Sequence, residues 1–125
     1  MAIQPTAPAD RQFIQSYGPG RFRVSGIEHG ASIIVTPART VAWSAPAGAA
    51  VDAALTAEIV AAAAGAEILL LGTGRRLVPL PRALRGTLRA AGMVADVMDT
   101  GAACRTYNLL VGEGRRVAAA LVVLD

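Results

Sequence analysis

Lysine is missing from this chain altogether, cysteine and histidine occur once each, and aromatic residues make up only 4% of it. The single Cys104 excludes an internal disulfide. With His29 as the only histidine, too few soft ligands remain for a structural zinc site, so no metal and no cofactor is expected. The longest apolar runs lie near Ile68 to Leu71 and Val117 to Leu124, well short of the roughly 20 residues a membrane-spanning helix needs. The N-terminal MAIQPTAPAD has neither the basic start nor the apolar block of a signal peptide, so residues 1–11 are expected to form a loose Pro/Ala tail. These absences predict a soluble protein with a cytoplasmic address.

What is present is apolar residue, in quantity. Hydrophobic residues make up 54% of the 125 and mean hydropathy is +0.47; this length and composition fit one domain with a substantial core and exclude a disordered chain. All 12 basic residues are Arg, the net charge is +3 and the sequence pI is about 10.0, a balance that suits an acidic partner. Abundant Ala beside exclusive Arg usage has a plainer source in the codon bias of a GC-rich genome. Nucleic-acid binding needs basic residues gathered on one face or module, so it is not expected.

The pattern of apolar residues changes along the chain. Gln12 to Gly18 and Arg21 to Gly26 read as two strands around a Gly18-Pro19-Gly20 turn. Phe22 and Val24 alternate with Arg21, Arg23 and Ser25, which predicts one buried and one wet face. Ala31 to Thr36 and Thr40 to Ser44 form a second hairpin about Pro37 to Arg39, while the EHG at Glu28 to Gly30, with His29, reads as a turn.

From residue 45 onward the period becomes helical. A helix is expected to begin near Thr56, whose hydroxyl can cap it with Glu58 in the first turn, and to end at Gly65. EILLLGTG reads as a strand buried on both faces. Pro79 and Pro81 open a second helix ending at Gly92, with Leu80, Leu84, Leu88 and Ala91 on one side and Arg82, Arg85 and Arg89 on the other. VADVMDT is a strand, TGAACRTYNLLVGEG a third helix closed by Gly112 or Gly114, and RRVAAALVVLD a last strand. The order predicts a single α/β domain over residues 12–125, with three layers: a mixed, largely parallel central sheet, helices on its faces, and extra antiparallel strands added by the N-terminal hairpins.

Three stretches could carry chemistry. DTG at Asp99 to Gly101 spells the catalytic loop of an aspartic protease, which needs paired carboxylates, a β-rich body and a flap. The 26 residues that follow Asp99 read as a helix and one strand, so the context is wrong. The simpler function is a strand-to-helix turn capped by Asp99 or Thr100, with Gly101 freeing the backbone. Cys104, in the first turn beside Arg105, has the setting of a reactive thiolate. It also shares a stripe with Tyr107 and Val111, as a core residue would, and has no base nearby.

LLLGTGRR is the third stretch. A Gly-rich turn after a buried strand can offer N–H groups to an anion, although the third glycine of a dinucleotide loop and the Lys of a P-loop are missing. With parallel strands both turns would lie at carboxyl ends of the sheet, and Thr73, Gly74, Arg75, Asp99, Thr100, Gly101, Cys104 and Arg105 could line one anion or ligand pocket. Arg82, Arg85 and Arg89 form either a solvated helix face or a docking face for an acidic partner.

Taken together, YGPGRFRVSG, the VTP turn followed by TVAWSAP, LLLGTGRR followed by PLP, and MDTGAACRTYNLLVGEGRRVAAALVVL resemble one family over about residues 12–124. It is the small domain of unknown function that includes the mitochondrial NADH dehydrogenase (complex I) assembly factor 3 and many short bacterial and archaeal proteins. The resemblance implies a three-layer α/β fold around a mixed sheet, a bacterial member, and protein partners; it assigns no catalytic residue. Two functions remain open: a non-catalytic interaction domain, with complex I assembly as the accessory role the resemblance implies, or a small-molecule or anion binder or enzyme using the turns at Gly72 to Arg76 and Asp99 to Arg105.

Overall fold

In the computed structural model, which describes residues 10–125, the alternation of strands and helices builds two sheets. The N-terminal part supplies β1 (Ile14–Gly18), β2 (Arg21–Val24) and β3 (Ile27–His29), a three-stranded antiparallel sheet in the order β1-β2-β3. The rest supplies β4 (Ile33–Val35), β5 (Thr40–Ala42), α1 (Ala53–Ala62), β6 (Ile68–Gly72), α2 (Arg82–Ala90), β7 (Val94–Met98), α3 (Thr100–Gly112) and β8 (Val117–Leu121). The central sheet has the order β5-β4-β8-β6-β7. β6 runs parallel to both β7 and β8, while β4 is antiparallel to β5 and to β8.

Period-two alternation sorts the core into two clusters, one per face of this sheet. Ile33 and Val35, Leu70, and Val117, Ala119 and Leu121 point to one face, where α3 contributes Cys104, Tyr107 and Val111 and the small sheet contributes Ile14, Phe22 and Val24. Ile34, Leu69 and Leu71, and Ala118 and Ala120 point to the other, against Leu55 and Ile59 of α1 and Leu88 of α2. The run of alanines in β8, fully buried on both faces, leaves room for helices to approach the middle of the sheet. The architecture is therefore small sheet and α3, central sheet, α1 and α2. No helix among the described residues is long and apolar enough to cross a membrane.

Several local expectations are corrected. Only the β4–β5 hairpin extends the central sheet; the first hairpin closes into its own sheet by recruiting β3. Glu28 and His29 of the EHG stretch read as a turn belong to that third strand, with Arg23 opposite Glu28 and Phe22 opposite half-buried His29. The turn lies one step earlier, at Ser25 and Gly26, both at positive φ (46° and 85°), as a two-residue hairpin loop requires. α1 starts three residues before Thr56: the Asp52 carboxylate accepts from the Leu55 amide at 2.8 Å, whereas buried Thr56 donates its hydroxyl back to the Asp52 carbonyl at 2.8 Å. Ala91, placed on the apolar side of α2, is exposed.

Residues 1–9 of the expected N-terminal tail lie outside the described residues. Of its last two, Arg11 donates to the Val111 carbonyl at 2.9 Å. The next anchors are buried: Asn108 on α3 accepts from the Ile14 amide at 3.0 Å and donates to the Ile14 carbonyl at 2.8 Å, so one side chain imitates a neighbouring strand. Tyr107 donates to the Gln12 carbonyl at 2.9 Å.

Candidate functional site

Strands β6, β7 and β8 are parallel, so the segments leaving them at Thr73, Asp99 and Val122 emerge along one edge of the sheet. α2 leaves toward one face and α3 toward the other, the arrangement that opens a crevice between neighbouring strands in open parallel sheets.

Here the crevice between β6 and β7 is closed. The Thr73 amide donates to the Met98 carbonyl at 3.0 Å and the Thr100 amide to the Gly74 carbonyl at 2.8 Å. The Thr100 hydroxyl accepts from the Gly74 amide at 2.8 Å and donates to the Val122 carbonyl at 2.7 Å, tying three strand ends through one oxygen. Gly72 is a glycine because of closeness: a Cβ there would lie 2.9 Å from Thr100 Cα and 3.1 Å from both Ala103 Cβ and Leu121 Cδ2.

The remaining expected residues are placed as follows. Thr73 donates its hydroxyl to the Arg76 carbonyl at 2.5 Å and accepts from the Val78 amide at 2.9 Å, closing its own turn. Asp99 is the N-cap of α3, accepting from the Ala102 amide at 2.9 Å. Gly101 lies under the Tyr17 ring, where a Cβ would meet the phenol oxygen at 2.5 Å, and Arg105 donates to that same oxygen at 3.0 Å. Cys104 is fully buried among the core residues beneath α3. Burial pushes its thiol up to about 12, outweighing the opposing pull of Arg105, so it is not a thiolate at neutral pH. Tyr107 is also raised by burial.

Open space lies beside this closed junction. A cleft of about 360 Å³ is bordered by Thr73 to Arg76 on one side, Gly48 to Ala50 on the other, and Val123 and Asp125 beneath. The Arg75 guanidinium is engaged by Asp125, through the carboxylate at 2.9 Å and through the backbone oxygen. The structure thus brings Thr73, Gly74 and Arg75 to one cleft and joins Gly74 to Thr100 and Thr73 to Met98, but carries Gly101 and Arg105 toward Tyr17 and Cys104 into the core. Among the described residues every buried side-chain nitrogen and oxygen has a hydrogen-bond partner, and no three His, Cys, Asp or Glu side chains converge as they would around a metal.

Arg82, Arg85 and Arg89 are all exposed on one side of α2 and border a groove of about 300 Å³ floored by Met93, Val94 and Ala95. Among the described residues the ion pairs are Arg21–Glu28, Arg75–Asp125 and Arg116–Glu67, so none neutralises this stripe. Sequence reasoning missed the residues that lock the layers together. Asn108, and Ser32, which donates to the Ala45 carbonyl at 2.6 Å and accepts from the Val123 amide at 2.9 Å, are polar residues inside apolar runs. That interruption is the only signal they give.

A family model described as a protein of unknown function (DUF498/DUF598) matches residues 14–122. An uncharacterised protein of Rhodobacter capsulatus is 36% identical over 109 residues, covering 87% of this chain and 82% of that protein. NADH dehydrogenase [ubiquinone] 1 alpha subcomplex assembly factor 3 of Xenopus tropicalis is 30% identical over 114 residues; these cover 91% of this chain but 62% of that longer protein. The solution structure of a Mth938-like domain from Bordetella pertussis superposes with a TM-score of 0.81 at 28% identity, covering 98% of this chain and 92% of that one.

Proposed function

This chain belongs to the DUF498/DUF598 family of unknown function and is related to complex I assembly factors, and from that premise we propose that it is a non-catalytic protein-interaction domain. Its role is accessory, in the assembly of a respiratory complex I, in the cytoplasm of a bacterium. The observation that carries this reading is the contrast in how polar groups are used. At the junction of the strand ends, where an α/β enzyme keeps its reacting groups, Thr73, Asp99 and Thr100 bond to backbone and Cys104 is buried as a neutral thiol. On the outside, Arg82, Arg85 and Arg89 are exposed together along α2 with no ion-pair partner among the described residues, where a partner can reach them.

A second reading, an anion or small-molecule binder or an enzyme using Gly72 to Arg76 and Asp99 to Arg105, is favoured by the cleft at Arg75 and Arg76. The Arg75–Asp125 pair weighs against it, because an incoming anion has to displace a carboxylate already in place.

Co-purification of the tagged full chain from its native host, with crosslinking, separates the two. The interaction reading expects a defined protein in stoichiometric amount, lost when Arg82, Arg85 and Arg89 are changed together to Glu. A chain that elutes alone, yet is stabilised by a small anion in a way that Arg75→Ala abolishes, overturns it.

A further inference from the structure

The Arg stripe does not stand alone: it flanks an open sheet edge. Among the described residues β7 is the last strand of the central sheet and pairs only with β6. The Val94 amide donates to the Glu67 carbonyl at 2.9 Å and the Met98 carbonyl accepts from the Thr73 amide, so residues 94, 96 and 98 direct their backbone groups inward. By the alternation of a parallel ladder, Ala95 and Val97 turn theirs outward. An exposed edge of this kind is a template for another strand. Arg85 already reaches it, donating to the Ala95 carbonyl at 3.3 Å, which sets a guanidinium at the edge itself; among the described residues the Ala95 amide and both backbone groups of Val97 have no hydrogen-bond partner, while Val97 itself is buried in the core cluster beneath α2. Apolar contact is at hand in Val94, which is 59% exposed, and in the groove floor at Met93 and Ala95.

We propose that an acidic, extended segment of a partner protein adds to β7 as a further strand, its backbone paired with Ala95 and Val97 and its carboxylates clamped by Arg82, Arg85 and Arg89. This deepens the interaction reading above and rests on it. The occupant follows from the charge of the site. A second copy of this chain paired through the same edge would be related by a two-fold axis normal to the sheet, placing both α2 helices on one face and their Arg stripes against each other; like charges in that position oppose association. The one acid of the strand, Asp96, alternates to the face away from α2 and cannot relieve this. An acidic strand meets both requirements at once, backbone pairing for affinity and charge for selection.

The test uses the ¹⁵N-labelled full chain and a short blocked peptide of alternating Glu and Val. The parallel probes are the same peptide N-methylated at alternate residues, its Lys-for-Glu counterpart, and oligouridylate of matched charge. The parent peptide is expected to shift and protect the Ala95 and Val97 amides. N-methylation, the Lys peptide, and the combined Arg82→Glu, Arg85→Glu, Arg89→Glu variant are each expected to weaken binding about tenfold or more. Equal binding of the N-methylated peptide, or oligouridylate binding as tightly as the parent, overturns strand addition, as does saturation with no change at Ala95 and Val97. If strand addition fails while the chain still co-purifies with a partner, only the docking mode falls. If the peptide binds as described while no partner is found in the native host, it is the broader interaction reading that falls.

Discussion

The turns at the carboxyl ends of β6 and β7 and the surface formed by α2 and the outer edge of β7 treat the same resource in opposite ways. At the carboxyl ends of the parallel strands, the polar side chains of Thr73, Asp99 and Thr100 are bonded to backbone, and a single Thr100 hydroxyl serves the ends of β6 and β8. Along α2 and the outer edge of β7, three guanidiniums and the outward backbone of Ala95 and Val97 have little to bond within the described residues. Where a fold satisfies its polar groups internally it gains rigidity and forgoes chemistry; where it leaves them outward it keeps the capacity to bind. On the reading proposed above, the difference assigns structure to the turns and recognition to the edge.

Perturbations that should cost most are those aimed at the turns. Thr100→Val keeps the shape and removes the hydroxyl, leaving the buried Gly74 amide and Val122 carbonyl without that partner; each orphan costs about 1–3 kcal/mol, so unfolding in urea should show a loss of about 4 kcal/mol, mostly restored in Thr100→Ser. Gly72→Ala forces a methyl into Thr100 Cα and Leu121 and should cost about 3 kcal/mol as overpacking. A value near zero for either would mean that the junction can open.

Raising the pH reads the same region through its buried acids. Cys104 is raised from 9.0 to about 12 by burial. Its neutral form is therefore favoured in the folded chain, and its contribution is complete below about pH 9 and lost as pH rises toward 12. Stability should fall by roughly 2 kcal/mol near pH 10.5, with Tyr107 adding to the decline above its ordinary value of 10.0. Cys104→Ala should flatten the part of the curve just above pH 9. A midpoint unchanged between pH 8 and about pH 10.5 would contradict the sealed core.

Asp99→Ala removes the N-cap of α3 and should cost about 1 kcal/mol, while Asp99→Asn keeps an acceptor and should cost only a few tenths. At the edge the expected effect falls on binding and little on stability. Changing Arg82, Arg85 and Arg89 together to Glu should move stability by no more than about 0.5 kcal/mol per site while abolishing partner capture, the reverse of what the turn variants do.

Much of this contrast was legible in the sequence. The buried strand ILLLG, the split of α2 into apolar and Arg faces, and the Asp99 turn follow from short-range rules of period and capping. The β3 strand was hidden because three residues, Ile27 to His29, are too few for a period, and because Ser25 at positive φ gives a weaker hairpin signal than Asn or Gly would. The start of α1 was misplaced because both Asp52 and Thr56 are capping residues, and only tertiary packing of Leu55 decides between them. The candidate site failed to be readable for a different reason. Sequence placed both glycine turns at one edge, but whether two such turns enclose a ligand or close on each other depends on a gap of about one methyl group, which only the Gly72–Thr100 approach reveals.

Amide hydrogen exchange on the full chain, with and without its captured partner, tests the division most directly. Added protection should concentrate at Ala95 and Val97 and along α2, with the amides of Thr73, Gly74 and Thr100 already protected and unchanged. Protection gained instead at 73–76 and 99–105, with β7 unaffected, would contradict it.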